Sequence, residues 1–355
     1  MKPLTALTDR THQPDEPVSA LGRGLLRFTQ DPRDLPFLYL ILQISATLIP
    51  LAVLLYLPGL PGWLWGGLAV AYLFLNNITF KGPFGLMLHC SCHRPIFKKQ
   101  YGWLNHYLPW VIGPLFGQTP ETYFTHHMGM HHAENNQEHD RSSTMHYQRD
   151  SWRGFARYLG TFMFVGIFQL AHYFIQRRKL KLLFRSLRGE LLFFGLFVGL
   201  WLLNWPATLV VFGLPFLISR VIMMLGNWTQ HAFVDAADPG NAYRNSVTCL
   251  NTRYNHKCWN DGYHTSHHVR PALHWSEHPA HFLKTLPKYV QHDAIVFDGI
   301  HFLHVFAWLM TKRYDLLARH FVNLGERYHS DAEVIELLKA RTCRIARTPA
   351  LAAAA

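Results

Sequence analysis

Residues Leu35–Leu57 read LPFLYLILQISATLIPLAVLLYL, apolar except for Gln43, Ser45 and Thr47, with Pro36 and Pro50 inside the run. About 20 apolar residues suffice to cross a bilayer as a helix, so this stretch predicts a membrane span. The turn Pro58-Gly-Leu-Pro-Gly62 follows, and a second run extends from Trp63 to Ile78. A similar pair comes later, Leu191 to Trp205 and Ala207 to Leu225, separated by Pro206. Arg220 lies near enough to the end of the last run to reach the interface. Outward from the first run, the pattern predicts an all-α integral membrane protein with four transmembrane helices in two hairpins. Charged residues make up only 16% of the chain, against about 25% in soluble domains.

The chain then divides into a polar cytosolic amino-terminal arm (1–33) and a membrane and catalytic domain (34–280). A cytosolic helical cap (281–347) and a disordered Ala-rich tail (348–355) complete the expected plan. Met1 to Pro17 is polar and proline-containing and is read as flexible. The first apolar run starts past residue 30 and is too long for the core of a cleavable signal. A further span over Ile295–Met310 would bury Asp298, His301 and His304, which is costly, so that segment goes to the cap.

Charge sets the expected orientation. Neither hairpin tip carries a charged residue, whereas the segment between the hairpins holds Lys81, Arg94, Lys98, Lys99, Arg149, Arg153, Arg157 and the cluster Arg177 to Lys181. Basic loops stay on the cytoplasmic side. The termini and the histidine clusters are therefore expected in the cytoplasm, in a bacterial inner membrane. The net charge of +12 follows from cations flanking membrane spans. No nucleic-acid motif accompanies it, and no nucleic-acid partner is expected.

Four groups of histidine stand out: His89 and His93, His126-His127-Met-Gly-Met-His131-His132, a lone His231, and His264-Thr-Ser-His267-His268. Separations of three and four place side chains on one face of a helix. Three clusters with that spacing read as one polynuclear metal site, with His126 turned elsewhere. Cys90 and Cys92 face mostly away on such a helix. The five cysteines form no Cys-x-x-Cys pair and predict no disulfide framework. So many imidazoles exceed the four ligands that zinc commonly takes. Two metals with open positions suit iron and oxygen chemistry better. Glu134, Asp140, Asp235 and Asp261 are candidates to orient the rings, since a ligating histidine commonly gives its other N–H to an acceptor.

These residues resemble the membrane fatty acid desaturase superfamily. His89/His93 match its first box, His127/His131/His132 its second, and Asp261-Gly-Tyr-His264-Thr-Ser-His267-His268 its third. Asn227-Trp-Thr-Gln-His231 is similar to the Asn-x3-His element after the last membrane helix of acyl desaturases. The resemblance covers about residues 35 to 280. It implies two non-haem iron ions held by His89, His93, His127, His131, His132, His231, His264, His267 and His268, with Asn227 in contact through water. It also implies an oxygen-dependent oxidoreductase that forms a carbon–carbon double bond in a fatty acyl chain.

Two other products share that chemistry. The segment His131-His132-Ala-Glu-Asn-Asn is also similar to bacterial desaturase-like enzymes that decarboxylate medium-chain free fatty acids to 1-alkenes. Hydroxylation of an alkyl chain is the weaker alternative. A free carboxylate would need a cation near the boxes, and Arg94, Arg253 and Arg270 are the nearest in sequence. The chain has no Rossmann fingerprint, iron–sulfur or haem motif, so an external ferredoxin or cytochrome with its reductase is expected to supply electrons. Lys98, Lys99 and Arg177 to Lys181 offer that donor a basic landing site. A metal-dependent hydrolase or metal sensor is the competing class. It lacks support from any His-Glu-x-x-His or nucleophile motif.

Overall fold

The computed structural model describes residues 1–11 and 18–346. The chain is mostly helical, as the apolar runs require, with one small parallel sheet that the all-α expectation did not contain. Among the described residues four helices are long and apolar enough to cross a membrane: Pro32–Leu55, Trp152–Gln176, Leu180–Leu203 and Trp205–Gln230.

The number agrees with the sequence reading, but the membership differs. Trp63–Ile78 is not among the four. The helix Gly62–Phe74 has 13 residues, diluted by Gly66 and Gly67, and continues through a π-helical turn, Leu75–Phe80, into the helix Lys81–His93. It still turns Trp63, Val70 and Ile78 outward, each about 70–80% exposed. By length and composition Trp152–Gln176 is counted instead. Its basic residues crowd the ends, and between Arg157 and Arg177 there is no Lys, Arg, Asp or Glu. Leu180–Leu203 begins well before the expected Leu191 and draws Lys181, Arg185, Arg188 and Glu190 into its first half. The last span starts where Pro206 predicts. Proline suits a first helical turn, where its missing N–H costs nothing, and the Asn204 side chain accepts from Ala207 N at 3.2 Å.

Two compact units emerge, Met1–Thr11 with Met130–Leu170 and Met223–Ala355, and His12–Gly129 with Ala171–Ile222. In the second unit Ile44, Leu48, Leu55, Tyr72, Met87 and Ile112 are fully buried, and the rings of Phe84 and Phe116 stack at 4.2 Å. Buried polar groups there are satisfied by backbone. Tyr72 OH donates to Val211 O at 3.1 Å and Asn76 Nδ2 to Leu115 O at 2.9 Å. An unpaired polar group in an apolar interior would be costly. At Gly189 an added Cβ would stand 1.6 Å from Pro120 O. Only glycine lets the helix Leu180–Leu203 approach the strand of chain that leads into the second histidine box.

In the first unit the strands Val247–Leu250 and Ile295–Asp298 pair in parallel, Val247 opposite Ile295 and Leu250 opposite Asp298. Parallel strands need a long crossover, and this one carries the helices His264–Val269 and His278–Gln291. The boundary expected at residues 280/281 falls inside the second of these helices. Phe297, Val305, Leu309 and Leu317 close the core around the sheet.

Met1–Thr11, expected to be flexible, is instead held to this unit. Lys2 pairs with Val322, and the Asp9 carboxylate accepts from Asn251 N at 2.7 Å and Tyr263 OH at 2.7 Å. Backbone pairing fixes a segment that composition alone marks as polar. Arg149 is fully buried and donates to Ala232 O at 2.9 Å, Arg341 O at 2.9 Å and Cys343 O at 2.8 Å. The expected tail 348–355 and residues 12–17 of the expected arm lie outside the described residues.

Candidate metal centre

The second histidine box begins in the helix Thr122–His126, runs through a π-helical turn at His127–His131 and ends in the short helix His132–Glu134. Asn135 and Asn136 stop it with φ of 49° and 58°, a left-handed conformation that asparagine tolerates. Asn136 is fully buried and its Oδ1 accepts from Thr144 N at 2.9 Å. Thr144 Oγ1 in turn donates to His231 O at 2.7 Å. The end of the second box is thereby tied to the residue that follows the last membrane helix.

His131, His231, His264 and His268 form one group, each offering a ring nitrogen within 4.8 Å of the others. Hydrogen bonding fixes which nitrogens face inward. His131 Nδ1 lies 2.7 Å from the Asp140 carboxylate, whose Oδ1 accepts from Ser142 N at 2.8 Å and Ser142 Oγ at 2.6 Å. His231 Nδ1 lies 2.8 Å from Asn245 O. A carboxylate or carbonyl only accepts, so both Nδ1 atoms carry hydrogen and Nε2 is the nitrogen each ring turns toward the group.

His264 Nε2 lies 3.2 Å from His231 Nε2 and 3.0 Å from His268 Nε2. Bonds of about 2.1 Å from one metal would place adjacent nitrogens about 3 Å apart, so this donor set fits a metal ion. Burial pushes the His231 ring down to about 3 and drives His268 well below its usual value. Both are neutral at pH 7, the form that binds metal.

His132 Nε2 and His267 Nε2 approach to 2.9 Å in the same unit. In the other unit His89, His93 and His127 offer ring nitrogens within 4.8 Å of one another, with His93 Nε2 and His127 Nε2 at 2.9 Å. His127 also stacks on Tyr123 at 5.5 Å. The spacing of four between His127 and His131 therefore does not give the two rings a common set of neighbours. His127 meets His89 and His93, while His131 meets His231 and His268. The π turn breaks the α-helical register on which the shared-face expectation rests.

The remaining expected residues have other partners. Asn227 donates Nδ2 to Tyr158 OH at 2.6 Å and Ser142 O at 2.9 Å. Arg94 pairs with Asp31 at 2.7 Å, while Arg253 and Arg270 are exposed. Of the acidic candidates, Asp140 orients an imidazole as expected. Asp235 pairs with Arg244, and Asp261 accepts from Tyr254 OH at 2.6 Å and Gln230 Nε2 at 3.1 Å. Burial raises Asp261 to about 6. Gly262 beside it is required by close packing, because a Cβ would stand 2.3 Å from both Asn255 Oδ1 and Cys249 O.

None of the five cysteines is joined in a disulfide. Sequence reasoning missed Ser266, inside the third box, whose hydroxyl meets His278 Nδ1 at 2.9 Å and His281 Nδ1 at 2.8 Å. Its partners lie a helix away, and no spacing rule reaches that far.

Apolar helices and buried, converging imidazoles define a helical membrane protein with histidine clusters suited to metal. Residues 77–299 match the family model described as fatty acid desaturase. The match spans all three boxes and more than half of the chain, so the protein belongs to the fatty acid desaturase family. It is a multi-pass membrane protein and an oxidoreductase by that membership. No curated protein and no solved structure matches it significantly.

Proposed function

We propose that the protein is a di-iron, oxygen-dependent oxidoreductase that introduces a double bond into a fatty acyl chain. The observation that carries this reading is the convergence of ring nitrogens from His131, His231, His264 and His268, with His131 and His231 oriented through Nδ1, in a chain of the desaturase family. The three boxes and His231 would hold two iron ions, with Asn227 contributing through water. Iron bound there would supply activation of dioxygen and removal of hydrogen from an unactivated carbon.

The chain's own residues do the positioning. Asp140 and the Asn245 carbonyl hold the protons of His131 and His231 on Nδ1 and aim Nε2 inward. Burial of His131, His231 and His264 keeps water from competing for the site. We place the site, the termini and the 281–347 cap on the cytoplasmic face of a bacterial inner membrane, where a soluble ferredoxin or cytochrome with its reductase reaches it.

A second reading, oxidative decarboxylation to a 1-alkene, draws support from Arg253 and Arg270. Both are exposed and close in sequence to the third box. A guanidinium can grip a free carboxylate through two parallel hydrogen bonds and fix its α and β carbons. Arg94, already paired with Asp31, is the less available of the three candidates. Purified protein incubated with lauric acid, oxygen and a reducing system decides between the readings. An unsaturated acid of unchanged length supports desaturation. Undecene with equivalent carbon dioxide supports decarboxylation, and a hydroxy acid supports hydroxylation. Protein that binds zinc but not iron, with no oxygen uptake, overturns all three.

A further inference from the structure

The helix His278–Gln291, which lies in the crossover beside the third box, has two faces. Phe282 and Tyr289 are fully buried on one. On the other, His281, Lys284 and Lys288 stand at i, i+3 and i+7 and form a stripe. Both lysines are exposed, Leu283 beside them is 51% exposed, and the helix HPAHFLKTLPKYVQ contains no acidic residue. Arg270 adds its charge close to His281. At its inner end His281 Nδ1 meets Ser266 Oγ at 2.8 Å, and Ser266 is the residue before His267.

Among the basic residues first expected to receive a donor, Lys98 Nζ donates to Arg27 O and Lys179 Nζ to Gly129 O, each at 2.9 Å, while Lys99, Arg177, Arg178 and Lys181 are exposed.

We propose that the His281–Lys284–Lys288 face is the docking surface for an acidic one-electron carrier protein of the [2Fe–2S] ferredoxin type, with His281 and Ser266 linking that surface to the third histidine box. The proposal rests on the di-iron reading above. Complementary charge steers such encounters and makes their rate sensitive to salt. A compact stripe suits the small interfaces of transient electron-transfer pairs. Each encounter would pass one electron from the carrier's cluster to iron held by the histidine boxes. Two such electrons, with two protons, one dioxygen and two hydrogens from the substrate, would account for two waters and the alkene.

The test uses full-length iron-loaded protein in nanodiscs and a reduced plant-type [2Fe–2S] ferredoxin as the probe, with basic cytochrome c as the control. Lys284→Glu/Lys288→Glu should raise the Kd for ferredoxin by about tenfold or more at low ionic strength. It should not weaken cytochrome c binding, and the wild-type Kd should rise with salt. The ferredoxin-driven rate, divided by the dithionite-driven rate of the same preparation, should fall in parallel with affinity. Unchanged ferredoxin affinity overturns the proposal. So does unchanged affinity with loss of co-purifying phosphatidylglycerol, which would assign the stripe to anionic lipid. Wild-type protein that binds ferredoxin but shows no dithionite-driven turnover would refute the di-iron reading, while the binding comparison still decides the docking surface. His281→Gln, which keeps a polar side chain without adding charge, should lower the rate of electron entry more than it lowers affinity. Equal loss in both would overturn the linking role of His281.

Discussion

The quartet His131, His231, His264 and His268 and the trio His89, His93 and His127 are assembled by different means. His89 and His93 come from one helix, one turn apart, and only His127 arrives from elsewhere. The quartet draws on three segments that are far apart in the chain, and within it only His264 and His268 share a helix. His131 and His231 have their outer nitrogens fixed by Asp140 and Asn245, and His231 is fully buried, whereas His93 in the trio is half-buried. Helical spacing can bring two rings together cheaply. A group gathered from three segments needs tertiary contacts such as those that orient His131 and His231.

The largest effect expected from that contrast is loss of a quartet ligand. His231→Ala should abolish turnover and lower the iron bound per chain, measured by mass spectrometry of the metal, while the protein remains inserted in the membrane. His131→Ala and His267→Ala should also abolish turnover. Full activity in two of these three would break the site assignment.

Asp140→Asn sharpens the comparison, because it leaves every ring in place and changes only what holds His131. Such partners of metal-bound histidine are worth about 10–100-fold in metal affinity or activity. The loss should appear as weaker iron retention against a chelator. Wild-type retention would show that packing alone orients His131.

Gly189→Ala probes the other unit, where Pro120 O leaves no space for a methyl group ahead of the second box. Overpacking costs about 1–3 kcal/mol, so the melting temperature should fall by several degrees. An unchanged melt would mean that the helix Leu180–Leu203 shifts freely.

The smallest effect is expected at Asp150, which belongs to neither histidine group. Burial raises its pKa, but hydrogen bonds from Lys312, Gln148 and Tyr314 outweigh that and hold it below the usual value. Its contribution is therefore present at neutral pH and disappears as pH falls through the lowered value. Asp150→Asn should cost less than about 1 kcal/mol and flatten the acid side of the stability profile. A loss of iron in this variant would show that the network reaches the metal site.

Much of the site was legible because metal ligation demands specific residue types. His89/His93 and His264/His268 could be paired on paper, since spacing of four acts within one helix. His127 and His131 carry the same spacing, yet the π turn at His127–His131 gives their rings different neighbours. The apolar runs gave the number of candidate spans, while length and composition in the folded chain count Trp152–Gln176, with its arginines at the ends, and leave out Trp63–Ile78.

By itself the sequence determined a helical membrane protein, the imidazoles available for metal, and membership of a chemistry that uses them. Those features depend on residue type and local period, which survive in one dimension. Tertiary structure alone decided that Asp140 and the Asn245 carbonyl orient His131 and His231, that Ser266 joins His278 and His281, and that Asp9 anchors the amino-terminal segment. Each of these contacts links residues through hydrogen bonds whose partners are set by how the chain folds back on itself, and no periodicity records them.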